Sequence, residues 1–191
     1  MILNKFMDLK ELELIASTCT HCDLYKKRNK AVFAKGNSNT SLMICGMVPA
    51  DEENKVGLPF VGRAGKLLDK ILADVVLTID DVYITNLVKC YLAAGLSLKS
   101  DWIDSCLSYL IVQIDIIKPK VIVTLGKDAS TTLLGLDQKI FLGSIVSRIF
   151  EYGDIKVIPT YHPSYLLRGG GEKHKSYSNV IKDFNFAKSL R

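Results

Sequence analysis

Two kinds of apolar pattern alternate along the chain. Residues 9–17 read as an amphipathic helix. The run "SLMICG" (41–46) predicts a strand feeding a loop over 46–62 that is rich in glycine, proline and acids. Leu67, Leu68, Ile71, Leu72 and Val75 then fall at helical spacing within 62–76. "DVYITNLV" (81–88) predicts another strand. The stretch 100–118 predicts a helix with Ser100 as its N-cap, stopped by Pro119. "KVIVTLG" (120–126) is a continuous apolar run, which suits a strand buried on both faces. A helix over 127–135 follows. Residues 144–163 predict a hairpin turning at Gly153 and Asp154, and a helix over 174–190 ends the chain.

Strands that alternate with helices imply an α/β fold: a mostly parallel sheet with helices on both faces. The 191 residues suit a single domain, 1–191. In open sheets of this kind ligands bind beyond the carboxyl ends of the strands. Three stretches fall at such ends: the loop 46–62, Asn86, and "TYHPSYLLR" at 160–168. The fold is predicted to gather them at one edge.

Composition narrows the partners. The chain is 48% hydrophobic and 24% charged, enough for a full core, and no stretch of eighteen apolar residues marks a membrane span. Its first 17 residues lack the layout of a secretory leader, so the expected location is cytoplasmic. A net charge of +5 permits a phosphate-rich partner. Of five cysteines, Cys45 sits inside an apolar run and reads as a small buried hydrophobe. Cys19, Cys22, Cys90 and Cys106 remain, as C-x2-C, a gap of 67 residues, then C-x15-C. Four thiolates fit either an iron–sulfur cluster or an all-cysteine zinc site, and the spacing leaves both open, as it does two unrelated core cysteines.

The stretches at the sheet edge contain the parts of a pocket for a planar base. Gly46 and Gly57 let the backbone approach a ligand closely. Phe60 offers a stacking face. Asn86 carries both a donor and an acceptor, and His162, followed by Pro163 and Ser164, is a donor. Singly, each has a plainer reading: a core phenylalanine, a strand-end cap, a loop histidine.

The blocks "GMVPADEENKVGLPFVGRAGKLLD", "NLVKC", "KPKVIVTLG" and "VIPTYHPSYLLR", with the four-cysteine spacing, resemble family 4 uracil-DNA glycosylases from about Cys19 to Arg191. The resemblance implies a three-layer α/β/α sandwich around a short, mostly parallel sheet. It implies a DNA N-glycosylase that hydrolyses the bond between uracil and deoxyribose and so begins base-excision repair. It selects a structural [4Fe–4S] cluster on Cys19, Cys22, Cys90 and Cys106, and uracil-containing DNA as partner to a monomer. The uracil pocket maps onto Gly46, Met47, Val48, Phe60, Asn86 and His162. A base in a duplex must be flipped out to be reached. Phe60 would then stack on it, Asn86 would read its N3–H and O4, and His162 with the N–H groups of 46–48 would hold charge growing on O2. A nearby carboxylate would assist the water that attacks C1′. Arg168 would enter the gap left by the base. Arg63, Lys66 and Ser164 are candidate DNA contacts, although a solvated helix face explains Arg63 and Lys66 equally well.

The chain departs from the resemblance in one motif. The family's G-E-x-P-G is here Gly46-Met47-Val48-Pro49-Ala50. Main-chain donors survive, but the carboxylate does not. Glu53 is the candidate substitute; otherwise Asp51, Glu52 and Glu53 are all solvated loop acids. The methyl of Ala50 either tightens exclusion of thymine or crowds the pocket. The segment 91–100 lacks the proline and arginine expected there, which withdraws DNA contacts from that loop. Met47 also motivates an alternative function, a non-catalytic relative that binds uracil-containing DNA.

Overall fold

The computed structural model describes residues 7–191; residues 1–6, which open the stretch examined for a leader, lie outside the described residues. The first half contains α1 (Leu9–Thr18), β1 (Ala34–Gly36), β2 (Leu42–Gly46), α2 (Asp51–Val56), α3 (Arg63–Asp74) and β3 (Tyr83–Asn86). The second contains α4 (Ser100–Ile117), β4 (Val121–Leu125), α5 (Lys127–Leu134), β5 (Phe150–Tyr152), β6 (Ile155–Thr160), α6 (Pro163–Arg168) and α7 (Tyr177–Ser189). One sheet has the order β1-β3-β2-β4-β6-β5. Its four inner strands are parallel, and β1 and β5 close the edges antiparallel.

Each inner strand divides its side chains between two cores, because successive residues point to opposite faces. Leu42 and Ile44 of β2 enter one core, Met43 and Cys45 the other. On β4, Val121, Val123 and Leu125 face the first and Ile122 the second. The first core is completed by Leu68 and Ile71 of α3 and Phe184 of α7, the second by Leu110 of α4 and Leu133 of α5. Both faces are apolar, so these strands read as continuous apolar runs. The sheet lies between two helical layers, as the α/β/α expectation required. A smaller third core packs Leu12 and Ala16 of α1 against Trp102, Cys106 and Tyr109 of α4. Among the described residues no helix is long and apolar enough to cross a membrane.

Local chemistry explains the ends. Asp8 caps α1 in a capping box: its carboxylate accepts from the Glu11 N–H at 2.8 Å while Glu11 accepts from the Asp8 N–H at 3.3 Å. The N-cap of α4 is Lys99, whose side chain makes no capping bond, so Ser100 opens the helix instead of capping it. The predicted loop 46–62 contains a helix, α2, with three acids in its first turn and Gly57 in the left-handed conformation (φ 89°) at its end. No apolar pattern in the sequence marks the short edge strand β1.

Candidate active site

The carboxyl ends of β2, β3 and β6 meet at one edge of the sheet. Gly46, the last residue of β2, pairs with Asn86, the last of β3. Two residues after β6, His162 caps α6, with Pro163 at the first helical position, where its missing N–H costs nothing. Between these ends lies a cleft of about 50 Å³ lined by Val48, Ala50, Glu53, Phe60, Asn86 and His162, among others. The Phe60 and His162 ring centroids are 5.9 Å apart. A side chain at Gly46 would fill the cleft, because its Cβ would lie 2.3 Å from Asn86 Oδ1 and 2.7 Å from Phe60 Cζ.

Phe60 is held in the left-handed region at φ 53°, a conformation that costs a non-glycine residue about 1–2 kcal/mol. Three neighbours fix it there. Glu53 Oε1 accepts from the N–H groups of Val61 and Gly62, both at 2.9 Å. Lys35 Nζ donates to the Phe60 carbonyl at 2.8 Å. Gly65 lets α3 pack on the Phe60 backbone, where a Cβ would approach the carbonyl oxygen to 1.9 Å. Glu53 is only 7% exposed, so it is not a solvated loop acid. Asp51 and Glu52 are exposed, and Glu52 pairs with Lys55 at 2.7 Å.

His162 is a neutral imidazole. The Ser164 N–H donates to Nδ1 at 3.0 Å, and the Ser164 hydroxyl lies 2.7 Å from the same atom. An N–H can only donate, so Nδ1 is the acceptor and the ring proton sits on Nε2. Burial, and then the nearby Arg168 cation, lower its pKa to about 4, against a smaller opposing pull from Glu53. Asn86 is 2% exposed, and the hydrogen bonds made there go to its main-chain carbonyl, leaving the carboxamide to the cleft. Among the described residues no protein acceptor takes the N–H of Met47 or Val48.

The Met47 side chain lies elsewhere. It packs against the core beneath α4 and α5 and lines a separate groove with Leu92, Leu96, Leu98, Ile103 and Leu136. Arg63 is exposed at the start of α3. Arg168 is exposed at the end of α6, its guanidinium carbon 5.9 Å from the Tyr165 ring centroid. Ser164 is tied to His162. Sequence reasoning missed Lys35 and Lys89. The signal for Lys89 was a lone lysine inside the apolar segment "NLVKC".

The chain brings Cys19, Cys22, Cys90 and Cys106 to one cavity between α1, α4 and the segment after β3. Cys90 and Cys106 are buried, Cys19 and Cys22 half-buried. Arg28 Nη1 donates to Cys90 Sγ at 3.1 Å, and the Lys89 N–H to Cys106 Sγ at 3.2 Å. Burial pushes the Cys22 and Cys90 thiols up, and that of Cys106 to about 11. Among the described residues no three His, Cys, Asp or Glu side chains form a group that could hold a metal ion as they stand. Cys45 is fully buried in the other core, its thiol raised to about 12 by burial, as expected of a small hydrophobe.

Comparison with known proteins agrees with this arrangement. A sequence model described as the Uracil DNA glycosylase superfamily matches residues 33–185. The type-4 uracil-DNA glycosylase of Thermotoga maritima is 38% identical over 173 residues, covering 90% of this chain and 88% of that protein. The type-4 uracil-DNA glycosylase of Saccharolobus solfataricus is 38% identical over 169 residues, covering 83% and 78%. A DNA polymerase of Bacillus phage SP01 is 28% identical over 170 residues, which make up 88% of this chain and 18% of the polymerase. The chain belongs to the uracil DNA glycosylase superfamily and, within it, to the type-4 uracil-DNA glycosylases.

Proposed function

We propose that this protein is a uracil-DNA glycosylase that works as one domain, 1–191, on deoxyuridine flipped out of DNA. The observation that carries the reading is the meeting of an aromatic ring, a carboxamide and a neutral imidazole, Phe60, Asn86 and His162, in one cleft. Phe60 stacks on the extruded base. The Asn86 carboxamide accepts from N3–H and donates to O4. Cytosine presents the reverse pattern and would leave buried polar groups unpaired, a mismatch that discriminates strongly.

In the reaction, water adds to C1′ as the bond from C1′ to N1 breaks, and uracil departs with the bonding electrons. The His162 Nε2–H, with the N–H groups of Met47 and Val48, stabilises the charge developing on O2. Fixed donors of this kind contribute a few kcal/mol each. The neutral ring can fill the role because Nδ1 accepts from the Ser164 N–H, which keeps the ring's one proton on Nε2, where it can donate to O2. Glu53 Oε1 is engaged by the Phe60 loop, which leaves Oε2 to orient the water. Arg168 occupies the gap in the duplex, and Arg63 and Ser164 meet the strand on either side.

Cys19, Cys22, Cys90 and Cys106 hold a [4Fe–4S] cluster. Four thiols around a single cavity, with a guanidinium and a main-chain N–H directed at two of the sulfurs, support this fit. The cluster supplies no step of hydrolysis; it ties the N-terminal segment to the sheet. The protein acts as a cytoplasmic monomer in base-excision repair.

The alternative of a non-catalytic relative rested on Met47. That side chain packs outside the cleft, so its identity removes no group from the site. The test is incubation of purified protein with a uracil-containing oligonucleotide, followed by alkaline cleavage. Strand scission that is strongly slowed, though still measurable, in His162→Ala and in Asn86→Ala is expected. Retarded migration without scission in the unaltered protein would overturn the enzymatic reading.

A further inference from the structure

Lys89 is 1% exposed, yet no carboxylate pairs with it among the described residues. A buried ammonium is costly unless its protons are all satisfied. Here three acceptors converge on Nζ: the Asn86 carbonyl at 2.5 Å, Gln113 Oε1 at 2.6 Å and Thr85 Oγ1 at 2.8 Å. The surrounding bonds orient each acceptor. Gln113 Nε2 donates to Tyr83 Oη at 2.8 Å, which turns Oε1 toward the lysine. The Thr85 hydroxyl donates to the Phe33 carbonyl at 2.7 Å, which leaves its lone pairs to accept. The site therefore requires a group with three donors and no acceptor, which among side chains is the lysine ammonium.

The same residue touches both functional regions. Its main-chain N–H donates to Cys106 Sγ, Cys90 follows it, and its side chain turns back to grip the carbonyl of Asn86. We propose that Lys89 is a positioning residue for base recognition: its buried ammonium fixes the main chain at Asn86, and so the carboxamide, with the four-cysteine region as its anchor. The proposal rests on the reading of Asn86 as the residue that grips the base. Lys89 touches no substrate; it acts through Asn86 alone. Displacement of a recognition group by about 1 Å can cost about a hundredfold in rate, so the effect is large although the lysine lies behind the cleft.

The test is a double-mutant cycle on the full chain as purified, read as the single-turnover rate on a uracil-containing oligonucleotide. Lys89→Met keeps the length of the side chain and removes its three donors. It is expected to lower the rate ten- to a hundredfold in the unaltered background and less than about twofold in Asn86→Ala, because groups that act as a unit are not additive. Thermal melting and the visible absorbance of the cysteine site show whether the variant remains folded and loaded. If Lys89→Met does not fold, Thr85→Val removes one acceptor and is expected to give a smaller loss with the same non-additivity. Equal losses in both backgrounds would overturn the proposal, as would a crystal structure of either variant with the Asn86 carboxamide unmoved. If Asn86→Ala itself leaves the rate unchanged, the reading of Asn86 fails first, and the proposal with it.

Discussion

The state of His162 makes a stability prediction with a definite sign. Its folded-state pKa is lowered from 6.5 to about 4. Between these values the unfolded chain takes up a proton that the folded protein refuses, so stability falls as pH drops through 6.5 and the loss is complete below about 4. At about pH 4.5 the difference is about 2–3 kcal/mol, at 1.36 kcal/mol for each tenfold in proton affinity. For a chain of this size that corresponds to a fall of about 5–10 °C in melting temperature. The control is His162→Asn, because asparagine also accepts the Ser164 N–H as an N-cap but does not titrate. Calorimetric melts at pH 7 and at about pH 4.5 are compared for both proteins. Acid effects at every other group cancel in the difference, and the unaltered protein should lose more by the amount given. Equal losses would refute the argument that burial holds the ring neutral. So would an excision rate with a midpoint near 6.5, since a ring already neutral at that pH has no proton to exchange there.

Other predictions follow from single contacts. Gly46→Ala pushes the buried Asn86 and Phe60 apart, and about a hundredfold loss of single-turnover rate is expected together with about 1–3 kcal/mol of stability in urea denaturation. Glu53→Gln keeps an acceptor for Val61 and Gly62 but removes the charge, which roughly halves each bond; about 1–2 kcal/mol of stability should be lost in urea denaturation. If Oε2 orients water, the same variant also slows excision at saturating substrate. Met47→Glu directs a carboxylate into the groove outside the cleft, which also contains Asp104 and Asp128, so excision at saturating substrate should not accelerate.

The order of strands and helices was legible because each inner strand is buried on both faces and each long helix is buried on one. The edge strand Ala34–Gly36 was not: two half-buried residues and an exposed glycine carry no periodicity, and the strand exists only through its pairing with Thr85, Ile84 and Tyr83. The helix Asp51–Val56 is short and polar, and only its leading acids and terminal glycine marked it. At the site, residue types suggested Phe60, Asn86 and His162 as candidates, but what holds them was hidden. The bond from Lys35 to the Phe60 carbonyl joins residues 25 apart, and that from Lys89 to Gln113 joins residues 24 apart. No local pattern encodes such pairs. Position 47 shows the limit in the other direction. A motif comparison fixes which residue stands there, whereas the direction of its side chain depends on the strand before it: alternation along β2 sends Met43, Cys45 and Met47 to the same core.

The most direct test of the account is a crystal structure of the protein bound to DNA carrying a deoxyuridine analogue whose glycosidic bond resists hydrolysis. The extruded base should stack on Phe60, with its N3 and O4 at the Asn86 carboxamide and its O2 at His162 Nε2. A base seated in the groove beside Met47 and Leu96, or left stacked in the duplex over an empty cleft, would contradict it.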